Sequence, residues 1–173
     1  MSAVCRLGAA ACALVLSGCS GSPGAAESAE ARHRAADADS GFVGVQARGR
    51  EAMGVDQYTS THLFEPLPDG GRIELQRDVS DSAGRVQIMA HMGRIAAAFA
   101  NGNFTLPGFV HAREVPGTEV MASEREKISY TVESLPRGAA LRLRTTDTAA
   151  VEAIHEFLAF QRMDHRAGPD HTR

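Results

Sequence analysis

The chain has 173 residues, of which 43% are hydrophobic and 23% charged, with no Trp and a formal net charge of −3. These values fit one folded domain of ordinary size with attachments, and the acidic balance excludes nucleic acid as a partner. The basic residues are nearly all Arg, with Lys127 the single Lys, which reads as coding bias rather than a phosphate site.

The N-terminus is the first attachment. Arg6 is the only cation before residue 30, and it is followed by an apolar run of ten, Leu7–Leu16 (LGAAACALVL). That run is too short to span a hydrocarbon core of about 30 Å and suits the apolar region of a signal peptide. Leu16-Ser17-Gly18-Cys19 follows: an aliphatic residue, two small ones, then Cys. This resembles the lipobox of bacterial lipoproteins. The resemblance implies cleavage after residue 18, a thioether-linked diacylglycerol on Cys19 and acylation of the freed amine. Two or three acyl chains, each stabilised by about 0.8 kcal/mol per buried CH₂, hold a protein firmly on a membrane. Ser20 after the acylated Cys resembles the sorting pattern of outer-membrane lipoproteins, placing the protein at the periplasmic face of the outer membrane in a Gram-negative host. Cys5 and Cys12 leave with residues 1–18 and lipid occupies Cys19, so no thiol remains for a disulfide, a nucleophile or a zinc thiolate. The processed chain keeps 17 basic against 21 acidic residues.

Residues 19–57 read as a lipidated, flexible tether. Ala, Gly, Ser, Glu and Arg dominate it, with transient helix over Ala25–Ala38 and Phe42, Val43 and Val45 its only apolar cluster. His33 is solvated there. A globular domain is expected over 58–165, with a disordered tail at 166–173; His165 and His171 are read as residues of a fraying C-terminus, solvated beside Asp164, Arg166 and Asp170.

Within the domain, Thr59–Glu65 and Arg72–Arg77 are predicted strands on either side of a Pro66–Gly71 turn, with Ile73 and Leu75 alternating. Asp81 or Ser82 caps a helix to Ala100, whose Ile88, Met92, Ile95 and Phe99 form one stripe. Phe104–Met121 reads as a long loop, rich in Pro and Gly, that leads into a short helix over Thr118–Lys127. The plan then recurs: strands Ile128–Glu133 and Ala140–Thr145, a cap at Asp147 or Thr148, and a helix to Met163 with Val151, Ile154 and Leu158 on one stripe. Glu-x-Leu-Pro-x-Gly occurs in both copies, as Glu65, Leu67, Pro68, Gly70 and Glu133, Leu135, Pro136, Gly138. The expected fold is therefore α+β, a two-layer sandwich in which duplicated ββα units form a four-stranded antiparallel sheet with helices on one face.

With no thiol left, His and Met are the chemistry-bearing residues. His91 and His155 fall at the edges of the two helical stripes, in nearly equivalent places, and could face each other across a pseudo-twofold axis. His111 comes from the central loop, with Met121 beyond it and Met89 and Met92 beside His91. Imidazole suits Zn or Cu, and thioether sulfur favours Cu⁺. The expected site is thus a copper or zinc ion held by His91, His111, His155 and Met121, with Met92 a further donor. No G-x-S-x-G, phosphate loop or dinucleotide fingerprint is present, and the acids fall at turns and strand ends, so no enzyme is expected.

The stretches Thr61–His91 (THLFEPLPDGGRIELQRD…MAH), Phe104–Val120 and Ile154–His165 (IHEFLAFQRMDH) resemble a family of small exported bacterial proteins, some of which bear the name aspartate carbamoyltransferase. The residues oppose that activity: transcarbamoylases use two α/β domains and a carbamoyl-phosphate loop, for which Thr145-Thr146-Asp147 is no substitute. The reading is a non-catalytic binding protein tethered in the cell envelope, possessing a copper or zinc site. The alternative is a structural lipoprotein that docks another envelope protein.

Overall fold

The structure is a computed structural model that describes residues 40–54 and 59–167. The expected signal peptide, Cys19, the expected tether as far as residue 39 with His33, and residues 168–173 with His171 lie outside the described residues.

Residues 40–53 form helix α1. Strands β1 (Ser60–Leu67) and β2 (Gly70–Arg77) make a tight hairpin, followed by α2 (Ser82–Ala100), the short helices α3 (Thr105–His111) and α4 (Thr118–Ser123) and one 3₁₀ turn. Strands β3 (Ser129–Leu135) and β4 (Gly138–Arg144) form the second hairpin, and α5 (Thr148–Asp164) completes the order. All four strands are antiparallel in one sheet, ordered β1-β2-β4-β3. This is the expected α+β sandwich.

The registers reveal the duplication. Matching hairpin to hairpin, Gly70 on Gly138, also matches Ile73 to Leu141, and these two are directly paired where β2 meets β4. The sheet is therefore symmetric about that pair. The starting glycines obey the same symmetry. A Cβ on Gly70 would lie 2.3 Å from the Leu143 carbonyl oxygen, and one on Gly138 would lie 1.9 Å from that of Leu75. Only hydrogen fits at either place.

Each long helix is capped by an aspartate: Asp81 accepts from Gly84 N at 3.0 Å and Asp147 from Ala150 N at 3.1 Å. Helix α2 then packs mainly on β3 and β4, while α5 packs on β1 and β2, so each helix crosses to the other hairpin. Ile88, Met92 and Phe99 from α2 meet Ile154, Phe157 and Leu158 from α5 over Ile73, Leu75, Leu141 and Leu143 in one core. The opposite face of the sheet is polar: Arg72 bridges Glu74 and Glu133, and Arg142 pairs with Asp69. No described helix is long and apolar enough to cross a membrane.

Three expectations are corrected. The tether does not extend through residue 57 as flexible chain, because 40–53 is helical, and Val45, Gln46, Gly49 and Met53 are buried on one side of it. Phe104–Met121 is not a simple loop: α3 forms with Pro107 in its first turn, where the missing N–H has no intrahelical partner to lose. The C-terminal tail does not begin at 166, and His165, expected to be solvated there, is packed among the rings of His62, Phe64 and His111. Arg166 lies over the Phe42 ring at 4.3 Å, and Ala167 packs against the core.

Candidate functional site

A cavity of about 80 Å³ opens between α1, α2, α3, α5 and the sheet. Apolar side chains, among them Phe64, Leu75, Phe99 and Phe157, make most of its wall. The titratable groups in that wall are four histidines, His62, His91, His111 and His165, with no carboxylate among them. Met53 and Met92 also line it.

Each histidine arrives by a separate route. Alternation along β1 turns His62 inward two residues before Phe64, and their rings stack 5.8 Å apart. His91 is buried on α2 at 5% exposure, adjacent to the core residue Met92. His111 ends α3. His165 caps α5 and packs against His62 at 5.2 Å, Phe64 at 5.5 Å and His111 at 5.1 Å between ring centroids.

Their electrostatic states differ. Burial drives His62 down to about 4, helped by the nearby His91. His91 is also pushed down to about 4, by burial first and then by the Arg94 charge, while a hydrogen bond with the Ala52 backbone acts in the opposite sense. Burial likewise holds His165 well below the ordinary histidine value, with His62 and His111 adding to the effect. These three imidazoles are neutral at pH 7. His111 is engaged at both ring nitrogens. Nδ1 bonds the Asp164 carboxylate, and Nε2 lies 3.0 Å from the side-chain oxygen of Gln161. Asp164 is shared with Arg113 at 3.1 Å, and that guanidinium lies 4.6 Å over Phe160. The buried His91 Nδ1, by contrast, has no hydrogen-bond partner among the described residues.

The expected copper or zinc site is not assembled as the sequence suggested. His91 and His111 share the cavity, but His155 is absent from its wall and bonds the Leu67 carbonyl at 2.9 Å through Nε2. Met121 is wholly buried in the core through α4. His91 and His155 are not equivalent either. Matching the two helix caps, Asp81 on Asp147, puts His91 on Phe157 and His155 on Met89. Among the described residues, no three His, Cys, Asp or Glu side chains are placed to hold one ion.

His62 and His165 had readable signals. Alternation along β1 puts His62 on the face of Phe64, and the repeat matches it to the inward Tyr130. The same cap alignment matches His165 to the core residue Phe99. No protein-family model matches the sequence, and no curated protein or solved structure is detectably similar to it.

Proposed function

We propose that this chain is a lipid-anchored protein of the cell envelope whose folded domain is a non-catalytic binding protein, with the histidine-lined cavity as its ligand chamber. Anchoring rests on Leu16-Ser17-Gly18-Cys19, and in a Gram-negative host Ser20 directs the protein to the outer membrane. The chamber rests on one observation: His91 Nδ1 is buried, unpartnered and part of a residue in the cavity wall. Leaving such a nitrogen unpaired costs about 1–3 kcal/mol, and a ligand that bonds it recovers that cost.

Cavity size narrows the ligand. An apolar cavity of about 150 Å³ admits benzene; one of about 80 Å³ suits a metal ion, the ligand for which its imidazole and thioether groups are donors. Thermal unfolding of the full-length chain with Zn²⁺, Cu²⁺ and Cu⁺ is the test. An ion present at about 100 times its Kd stabilises by about 2.7 kcal/mol, a clear rise in Tm for wild type and none for His91→Phe. No response to any ion would sink the chamber reading. The alternative, a structural lipoprotein docking another envelope protein, would then gain, since the outer sheet face bears Leu63 at 46% exposure. Anchoring is tested separately: radioactive palmitate should label wild type and leave Cys19→Ala unlabelled.

A further inference from the structure

We propose that the ion taken up in this cavity is copper in its monovalent state, with His91 as anchoring nitrogen, His62 as a second imidazole and Met92 and Met53 as thioether donors. This rests on the chamber reading above and adds the identity and charge of the ligand.

Three observations converge on it. The first is the donor set. Imidazole nitrogen alone suits zinc and both copper states, whereas thioether sulfur selects Cu⁺. Here two methionines line the same cavity as the histidines, both at least nine-tenths buried: Met53 is 7% exposed and Met92 2%. The absence of any three-fold His or carboxylate cluster among the described residues counts against a tetrahedral dication. It does not count against a soft d¹⁰ monocation, which is satisfied at low coordination number by neutral nitrogen and sulfur.

The second observation concerns charge. Among the described residues, every titratable group in the cavity wall is an imidazole, and the carboxylate that reaches one of them, Asp164, is committed to His111 and Arg113. A bound ion would bring its full charge into an apolar surround with no counter-charge. The cost of burying an ion grows with the square of its charge, so neutral ligands in an apolar cavity favour a single charge over a double one. Arg94, already felt at His91, opposes a dication twice as strongly.

The third is availability. His91 is 5% exposed and its Nδ1 is unpartnered. His111, occupied at both nitrogens, is left to fix the wall rather than to ligate.

The experiment is anaerobic competition for Cu⁺ against bicinchoninate, using the full-length chain carrying Cys5→Ser, Cys12→Ser and Cys19→Ser so that no thiol competes. The expected result is one Cu⁺ withdrawn per chain, with Zn²⁺ bound more weakly. His91→Phe should lose the uptake, Met92→Leu should weaken it by about tenfold or more, and His155→Ala should leave it unchanged. Should His91→Phe fail to fold, the volume-conserving Met92→Leu carries the same test. Uptake of Zn²⁺ in preference to Cu⁺, still abolished by His91→Phe, would overturn the copper assignment and leave the chamber reading standing. Cu⁺ uptake insensitive to both variants would overturn the site. Uptake of neither ion would overturn both readings.

Discussion

The two halves of the duplicated core fill equivalent positions with different chemistry. At one end Phe99 is surrounded by Phe104 at 4.4 Å, Phe157 at 5.8 Å and Tyr130 at 5.9 Å, ring against ring. The matching positions in the other half belong to His165, His91 and His62, and a cavity opens where these histidines face Phe99 and Phe157. At about 24 cal/mol per Å³, a void of about 80 Å³ forfeits about 2 kcal/mol of packing. The unpaired His91 nitrogen adds to that deficit. A duplicated fold can carry such a defect because its other half supplies the stability.

Paired truncations at one matched position break or sustain this contrast most forcefully. Phe157→Ala should cost about 3–5 kcal/mol in denaturant unfolding, as large aromatic truncations in packed cores do. His91→Ala should cost far less, because both side chains border the cavity but only this change removes an unsatisfied nitrogen, and it removes less apolar surface. Equal losses would show that the two ends are packed alike, and the comparison would fail.

Acid should separate the ends next. His62 and His91 are held near 4 in the fold and return to about 6.5 when unfolded, so the unfolded chain binds more protons between those values. Stability is then complete above about pH 6.5 and falls as pH drops toward 4. The slope is at most about 1.4 kcal/mol per pH unit for His91 and smaller for His62, which solvent partly screens. The helix-capping carboxylates do not confuse this window. Asp81 is held below the ordinary carboxylate range by the Gly84 amide, and Asp147 by Lys127 and the Ala150 amide, so both stay ionised through it. Urea midpoints measured across that pH range in wild type and His91→Phe check the assignment: the variant should show the shallower slope.

Much of this architecture was legible because its signals are periodic. The stripe Ile88, Met92, Phe99, the alternation of Ile73 with Leu75 and the repeated Glu-x-Leu-Pro-x-Gly all respond to burial on one face. The site was less legible, and for physical reasons. Helix α1 buries Val45, Gln46, Gly49 and Met53, a proper helical spacing that two small or polar residues hide from any reading of hydropathy. His165 lies just beyond the last α5 residue, where chain ends normally fray, and only comparison with Phe99 marks it as a core position. His155 looked equivalent to His91 because both border apolar stripes; aligning the caps shows it facing the Leu67 carbonyl instead.

His91→Phe sharpens the comparison from the opposite direction, since it gives the histidine end the residue its counterpart already uses. Filling the cavity and removing the orphan nitrogen should stabilise the apo chain by about 1–2 kcal/mol. A loss of stability would mean that the cavity is too small for the ring and the pseudo-symmetry only approximate.

The caps give the smallest effect and the closest control. Asp81 and Asp147 make the same bond at matched places, one to Gly84 N and one to Ala150 N, at 3.0 and 3.1 Å. Yet their surroundings differ: Asp81 pairs with Arg77, 16% exposed at its side chain, whereas Asp147 pairs with the half-exposed Lys127. If the two copies share a backbone plan and differ only in how the core is filled, Asp81→Ala and Asp147→Ala should each lower Tm by a few degrees and by similar amounts. Adding salt separates the contributions. The cap bond survives screening while the exposed Lys127 pair weakens, so the excess loss in Asp147→Ala should shrink at high salt. Caps of clearly unequal strength at high salt would place the divergence of the two copies in the backbone itself, and the histidine cavity would be one consequence of that divergence rather than a substitution laid onto a conserved frame.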